Sequence, residues 1–125
     1  MVSYYFDSYA VIEITRGGES YKPYLSAEIV LTALNLIECY NSWLNELGEE
    51  KANNYFIIFK QYLVPILDED IITGVKFRNY LRNRNKKYQP SFTDCIGYVI
   101  ALRLGIKFLT GDNAFKGLEN VEFVK

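Results

Sequence analysis

Asp7 stands directly after the run Val2–Phe6, and Asp112 sits in the turn Thr110-Gly111-Asp112-Asn113, three residues past Ile106–Leu109. The two runs read as short buried strands, the first from its aromatic and β-branched residues. A carboxylate delivered past the carboxyl end of a strand lies where open α/β sheets bind their ligands. Two more acids can reach the same end. Glu38 lies near the start of the helix that follows a second strand, and Asp94 lies in the first turn of the helix that leads into Ile106–Leu109. Asp94 reaches that end only if the chain crosses over before residue 91. The sequence holds no histidine. That excludes the Ser-His-Asp triad, the Cys-His dyad, histidine-bound zinc and two-histidine ribonuclease chemistry, and leaves the chemistry of carboxylates.

Each acid also has a plain structural reading. Asp7 can cap the helix that begins at Ser8. Asp94 stands three residues after Ser91, the capping-box spacing. Asp112 suits an ordinary turn. Glu38 shares a polar helix face with Asn35, Asn41, Ser42 and Asn45, which reads as solvated. Cys39 and Cys95 each adjoin one of these acids. Two cysteines make no disulfide framework for a chain of this size, and with no other soft ligand nearby they read as small core residues rather than zinc ligands.

The elements that must position these groups follow from periodicity and breakers. The spacing predicts strands at 2–6, 29–32, 64–67, 106–109 and 121–124. It predicts short helices at 8–15 and 19–27, then longer ones at 34–47, 49–62, 68–84 and 91–104. Gly17-Gly18, Gly48 and Gly105 end three of them, and Pro65 marks residues 64–67 as an edge strand. Strands alternating with helices give an α/β fold: a three-layer α/β/α sandwich around a central, mostly parallel sheet. At 125 residues, half of them hydrophobic, the chain is one domain over 1–125. No targeting segment or membrane span is legible, so a cytoplasmic, soluble protein without a membrane partner is expected.

Net charge is −1, so any contact with nucleic acid needs a local patch. One exists. Between Ile71 and Thr93 there is no acid but six cations: Lys76, Arg78, Arg82, Arg84, Lys86 and Lys87, with Tyr80 and Tyr88 among them. Arg82, Arg84, Lys86 and Lys87 are the candidate RNA contacts, since cations interleaved with aromatic rings suit phosphates and stacked bases. A solvated helix end is the competing reading. In the helix 49–62, Tyr55–Phe59 are five consecutive apolar residues that circle the axis, so some of them must face solvent or a partner.

Taken together, three segments resemble PIN-domain proteins, and more closely the VapC toxins of bacterial and archaeal toxin–antitoxin pairs. They are YYFDSYAVIE, LTALNLIECY and SFTDCIGYVIALRLGIKFLTGDNAF, and the ending GLENVEFVK also fits. The resemblance implies a PIN fold and a metal-dependent endoribonuclease. It implies that Asp7, Glu38, Asp94 and Asp112 together hold magnesium or manganese, with Ser8 and Thr110 in supporting roles. Hard dications prefer oxygen ligands. Four packed carboxylates repel each other without one, and bound ions would activate water and neutralise phosphate charge. It further implies an RNA substrate, a VapB-like antitoxin and a homodimer. A PIN nuclease of RNA processing without an antitoxin and a non-catalytic RNA-binding PIN domain are the alternatives. The mark of the last would be a missing acid, and none is missing.

Overall fold

The computed structural model describes residues 1–125. Four strands, β1 (Ser3–Phe6), β2 (Glu28–Val30), β3 (Lys107–Thr110) and β4 (Val121–Phe123), form one sheet in the order β2-β1-β3-β4. Every pairing is parallel, with Tyr5 opposite both Val30 and Phe108. The α-helices are α1 (Ser8–Thr15), α2 (Ala33–Leu47), α3 (Glu49–Phe59), α4 (Asp68–Arg84) and α5 (Phe92–Leu104). Residues Glu19–Ser26, read as a short helix, form a 3-10 run, and a further 3-10 turn at Lys60–Tyr62 follows α3.

Successive strand residues point to opposite faces, and this splits the core in two. Phe6 and Leu109 pack with α1, α2 and α3, whereas Tyr5 and Phe108 pack with α5 and, beyond it, Leu81 of α4. The expected three-layer sandwich results. Its sheet is wholly parallel, as expected where helices cover both faces.

One expected strand is absent. Residues 64–67 do not pair. Only Leu63 bridges Leu31, through Leu31 N–H to the Tyr62 carbonyl at 3.3 Å and Val64 N–H to the Leu31 carbonyl at 2.9 Å. The neighbouring segment turns into α2 at Ala33, two residues past Leu31, so the chain meets no further partner there, touches the sheet edge beside β2 and leaves it.

On the α5 side, helices α4 and α5 lie unusually close. A Cβ on Gly74 would come within 2.9 Å of the Ile96 Cα. An ion pair locks this approach. Arg103 donates from Nε and Nη2 to the two oxygens of Asp70, both at 2.9 Å, and Leu67 N–H donates to the same carboxylate at 2.9 Å. Burial alone would raise the Asp70 pKa, but these donors outweigh it and hold the carboxyl below its ordinary value. Asp70 is only 3% exposed. Arg103→Ala is therefore expected to cost about 3 kcal/mol, because it strands a buried charge with one donor left. Urea unfolding measures this, and a loss under about 1 kcal/mol would show the pair to be dispensable. No helix is long and apolar enough to cross a membrane.

Candidate active site

Strands β1 and β3 are neighbours at the centre of the sheet, and the chain leaves them in opposite directions, β1 towards β2 and β3 towards β4. Their carboxyl ends therefore flank a topological switch point. Asp7 follows β1 and Asp112 follows β3 by two residues. A cleft there is lined by Asp7, Asp94 and Asp112 together with Tyr9, Tyr88 and Lys125. Glu38 comes from the second turn of α2 and reaches this end through Ser8, which donates to Glu38 Oε1 at 2.6 Å.

Asp94 needs no additional crossing of the chain. Only Gly105 and Ile106 separate α5 from β3, so the helix must run antiparallel to the strand. Its first turn then lies at the strands' carboxyl end as a matter of course. The requirement read from the sequence mistook the direction in which a helix enters a parallel strand.

The plain structural readings hold for three acids and exist beside the cleft. Asp7 Oδ1 accepts from Ala10 N–H at 2.7 Å and caps α1. Asp112 Oδ1 accepts from Ala114 N–H at 2.9 Å. Ser91 accepts from Asp94 N–H at 3.0 Å, so Asp94 completes the cap with its backbone while its side chain lines the cleft. Thr110 ties two acids together. Its hydroxyl donates to Asp7 Oδ2 at 2.5 Å and accepts from Asp112 N–H at 3.0 Å.

Electrostatics register the crowding. Desolvation pushes the Asp7 carboxyl up to about 7, against the Thr110 and Ala10 donors that pull it down, and repulsion from Asp112 and Glu38 adds to the rise. Desolvation likewise pushes Asp94 up to about 8, reinforced by repulsion from Asp7, Glu38 and Asp112. Asp7 thus lies in the field of Asp112 and Glu38, and Asp94 in that of the other three. As placed, no three of them converge on one ion-binding point. Asp7 and Glu38 are held by internal donors, and Asp112 has one oxygen held. The donor set is all oxygen and strongly anionic. It fits magnesium or manganese, which takes one or two carboxylates directly and keeps several waters. It does not fit zinc, because Cys39 and Cys95 are fully buried and desolvation pushes both thiols up to about 12.

Asn35, on the polar helix face it shares with Glu38, is fully buried. Its Oδ1 accepts from the Tyr5 hydroxyl and from Thr32 N–H, and its Nδ2 donates to Ser8 Oγ at 3.2 Å. It therefore anchors the serine that holds Glu38. The Thr32-x-x-Asn35 spacing at the start of α2 was the available signal. Gly97, on the Asp94 face of α5, admits the Tyr5 ring: a Cβ there would lie 2.6 Å from Tyr5 Cε1.

The basic segment does not act as one patch. Arg78 lies over the Phe92 ring at 4.2 Å and donates to the Pro90 carbonyl, a structural tie. Arg84 lines a groove that shares Tyr88 and Asn113 with the acidic cleft. Arg82 and Lys86 line a separate hollow with Asn79, Asn83 and Gln89, which shares no residue with the cleft. Lys87 is exposed and lines neither.

Residues 4–121 match the family model of the PIN domain. No curated protein matches the chain in sequence. Among solved structures, the chain is similar to one in a toxin–antitoxin complex from Klebsiella pneumoniae, with a TM-score of 0.73, 18% identity and 96% of each chain covered. It is similar to VapC20 of Mycobacterium tuberculosis, described as a sarcin–ricin loop cleaving toxin, with a TM-score of 0.73 and 13% identity over 98% of this chain and all of the other. A chain of VapBC2 from Rickettsia felis, solved bound to a DNA fragment from their promoter, gives a TM-score of 0.72 and 17% identity over the whole of both chains. At these identities the likeness is one of fold.

Proposed function

Because the chain belongs to the PIN-domain family, we propose that it is a magnesium- or manganese-dependent endoribonuclease and the toxin of a toxin–antitoxin pair. The observation that carries the reading is the gathering of Asp7, Asp94 and Asp112 in one cleft at the carboxyl end of the two central strands, with Glu38 held beside them through Ser8. A dication bound by these residues would supply the water activation and charge neutralisation that phosphodiester hydrolysis needs. The chain's own groups define the rest. Thr110 fixes Asp7 and the backbone of Asp112. Asn35 and Ser8 fix Glu38. Lys125, whose Nζ donates to the Gly111 carbonyl at 3.1 Å, brings an ammonium to the cleft wall where a substrate phosphate would lie.

Cleavage of RNA is expected with magnesium or manganese and not in excess chelator. Products should carry 5′-phosphates, because water rather than the 2′-hydroxyl attacks. Full activity in chelator, or 2′,3′-cyclic phosphate ends, would overturn the mechanism.

The toxin part of the reading rests on an apolar hollow between α2 and α3, lined by Ala33, Leu36, Ile37, Tyr40, Phe56 and Leu63. Ile37 is 66% and Ile57 65% exposed, while Phe59 is only 5% exposed and packs at a tilt against the Trp43 and Tyr55 rings. Of the apolar run in α3, the middle residues thus face outwards, and a charge at Phe59 would break the core instead of probing a surface. An apolar segment of an antitoxin would cover this hollow, and a second copy of the chain would form the dimer. Phe56→Asp is expected to abolish co-purification of a small partner from the native operon while leaving the thermal midpoint within a few degrees of the parent. Retention of the partner by the variant would remove this face from the interface. A single-copy mass at high concentration in sedimentation would remove the homodimer.

A further inference from the structure

We propose that Tyr5 is a positioning residue of the metal site, whose hydroxyl begins a one-way chain of hydrogen bonds through Asn35 and Ser8 that fixes Glu38. The inference rests on the metal-dependent reading of the cleft and adds a residue to the apparatus that holds one of its acids. Tyr5 is fully buried in β1, two residues before Asp7. Its ring packs at a tilt against Phe108, with 5.7 Å between centres. Its phenol end seats against Gly97 of α5, where a Cβ would lie 2.8 Å from Cζ and 3.0 Å from the hydroxyl oxygen. These contacts leave the ring one place to be, and the hydroxyl with it.

The direction of the chain follows from its donors. The Tyr5 hydroxyl donates to Asn35 Oδ1. Asn35 Nδ2 donates to Ser8 Oγ at 3.2 Å, and the Ser8 hydroxyl donates to Glu38 Oε1 at 2.6 Å. Every proton in the chain points towards the carboxylate, so each donor polarises the next and the chain strengthens when its end is anionic. Thr32 braces it from the side. Its N–H and its hydroxyl both donate to Asn35 Oδ1 at 3.1 Å, and its oxygen lies 3.2 Å from that of Tyr5. With the amide oxygen fixed by these donors, the Nδ2 donor is aimed at Ser8. One Glu38 oxygen is held at the end of the chain, and the other is left for a cation. Phenylalanine would fill the same core space, so packing does not call for the hydroxyl; the relay does.

The test uses the full chain, freed of metal. Manganese binding is followed by isothermal titration calorimetry, and thermal unfolding in chelator reports the fold. Tyr5→Phe keeps the ring and removes the hydroxyl. It is expected to weaken manganese binding about tenfold, the lower end of what losing a ligand's supporting partner costs. Ser8→Ala is expected to weaken it by roughly 10- to 100-fold. The double variant should bind within about twofold of Ser8→Ala, because a chain already cut at Ser8 transmits nothing from Tyr5. Tyr98→Phe is the control. Tyr98 is buried in the same core, and its hydroxyl donates to the Glu119 carbonyl at 2.8 Å, away from the relay. This variant should lower the thermal midpoint as Tyr5→Phe does and leave manganese affinity unchanged. In cleavage, Tyr5→Phe should raise the magnesium concentration needed for half-maximal rate, with kcat at saturating magnesium close to that of the parent. Unchanged manganese affinity in Tyr5→Phe, or losses that multiply in the double variant, would overturn the relay while a metal-binding parent left the metal-dependent reading standing. A parent that binds no manganese would overturn both.

Discussion

Asp94→Asn is expected to remove nearly all RNA cleavage, by a factor of about 10³ or more. That corresponds to about 4 kcal/mol of lost transition-state stabilisation. The expectation follows from what the side chain does and does not do. Its carboxylate lines the cleft and sits in the field of Asp7, Glu38 and Asp112. The helix start is held by its backbone N–H on Ser91, which the amide variant keeps. Asparagine has nearly the same size but no charge, so it removes the anion without opening a cavity. Steady-state cleavage with saturating magnesium measures the effect, and circular dichroism and thermal unfolding report the fold. Activity within tenfold of the parent would remove Asp94 from the metal-binding set. A lost fold would show instead that its role is structural.

In excess chelator, the parent protein is expected to lose stability as pH rises from about 4 to about 8. Folding raises the Asp7 carboxyl to about 7 and Asp94 to about 8, above ordinary carboxylate values, chiefly by desolvation. Below the unfolded-state pKa near 4 both states hold these protons, and folding is not penalised. As pH rises past 4 the unfolded chain ionises freely while the folded chain resists, so the folded state is progressively disfavoured until pH passes the folded values. The two acids share one field and do not add independently, so the combined loss is on the order of 5 kcal/mol. That is a large part of the stability of a domain this size. Two controls isolate the cause. Asp94→Asn should be more stable than the parent at pH 8 and little different at pH 4. Millimolar magnesium should restore parent stability at pH 8 and do little for the variant. A flat profile from pH 4 to 8 would show that the acids are better hydrated than the cleft geometry implies.

These two results read out one arrangement, and much of it was legible beforehand. A strand ending in Phe6-Asp7 and another followed by Thr110-Gly111-Asp112 place two carboxylates at one end of a sheet, because parallel strands share their direction. A helix closed by Gly105 and leading straight into a strand also brings Asp94 to that same end, although the crossover expected before residue 91 is not needed. A mostly parallel sheet also followed from the alternation of elements, and every observed pairing is parallel. Local pattern sufficed for these features because each depends on chain direction and on residues a few positions apart.

Other features depended on which surfaces meet. The polar residues at the start of α2 do not by themselves show which one turns inwards; the helix turns Asn35 onto Tyr5 and Ser8, and burial makes it the anchor of Glu38. Residues 64–67 have strand composition, yet pairing needs an extended partner alongside, and the segment beside them turns into α2 at Ala33. Arg78, Arg82, Arg84 and Lys86 are near neighbours in sequence, but the helix axis and the turn after it send them to a ring stack, a remote hollow and the groove by the cleft. Sequence by itself determined the strand ends, the helix directions and thus the end of the sheet where the acids gather. Only the tertiary structure decided which polar side chains are buried to hold them and which cations face the same cleft, because burial and facing are set by contacts between segments far apart in the chain.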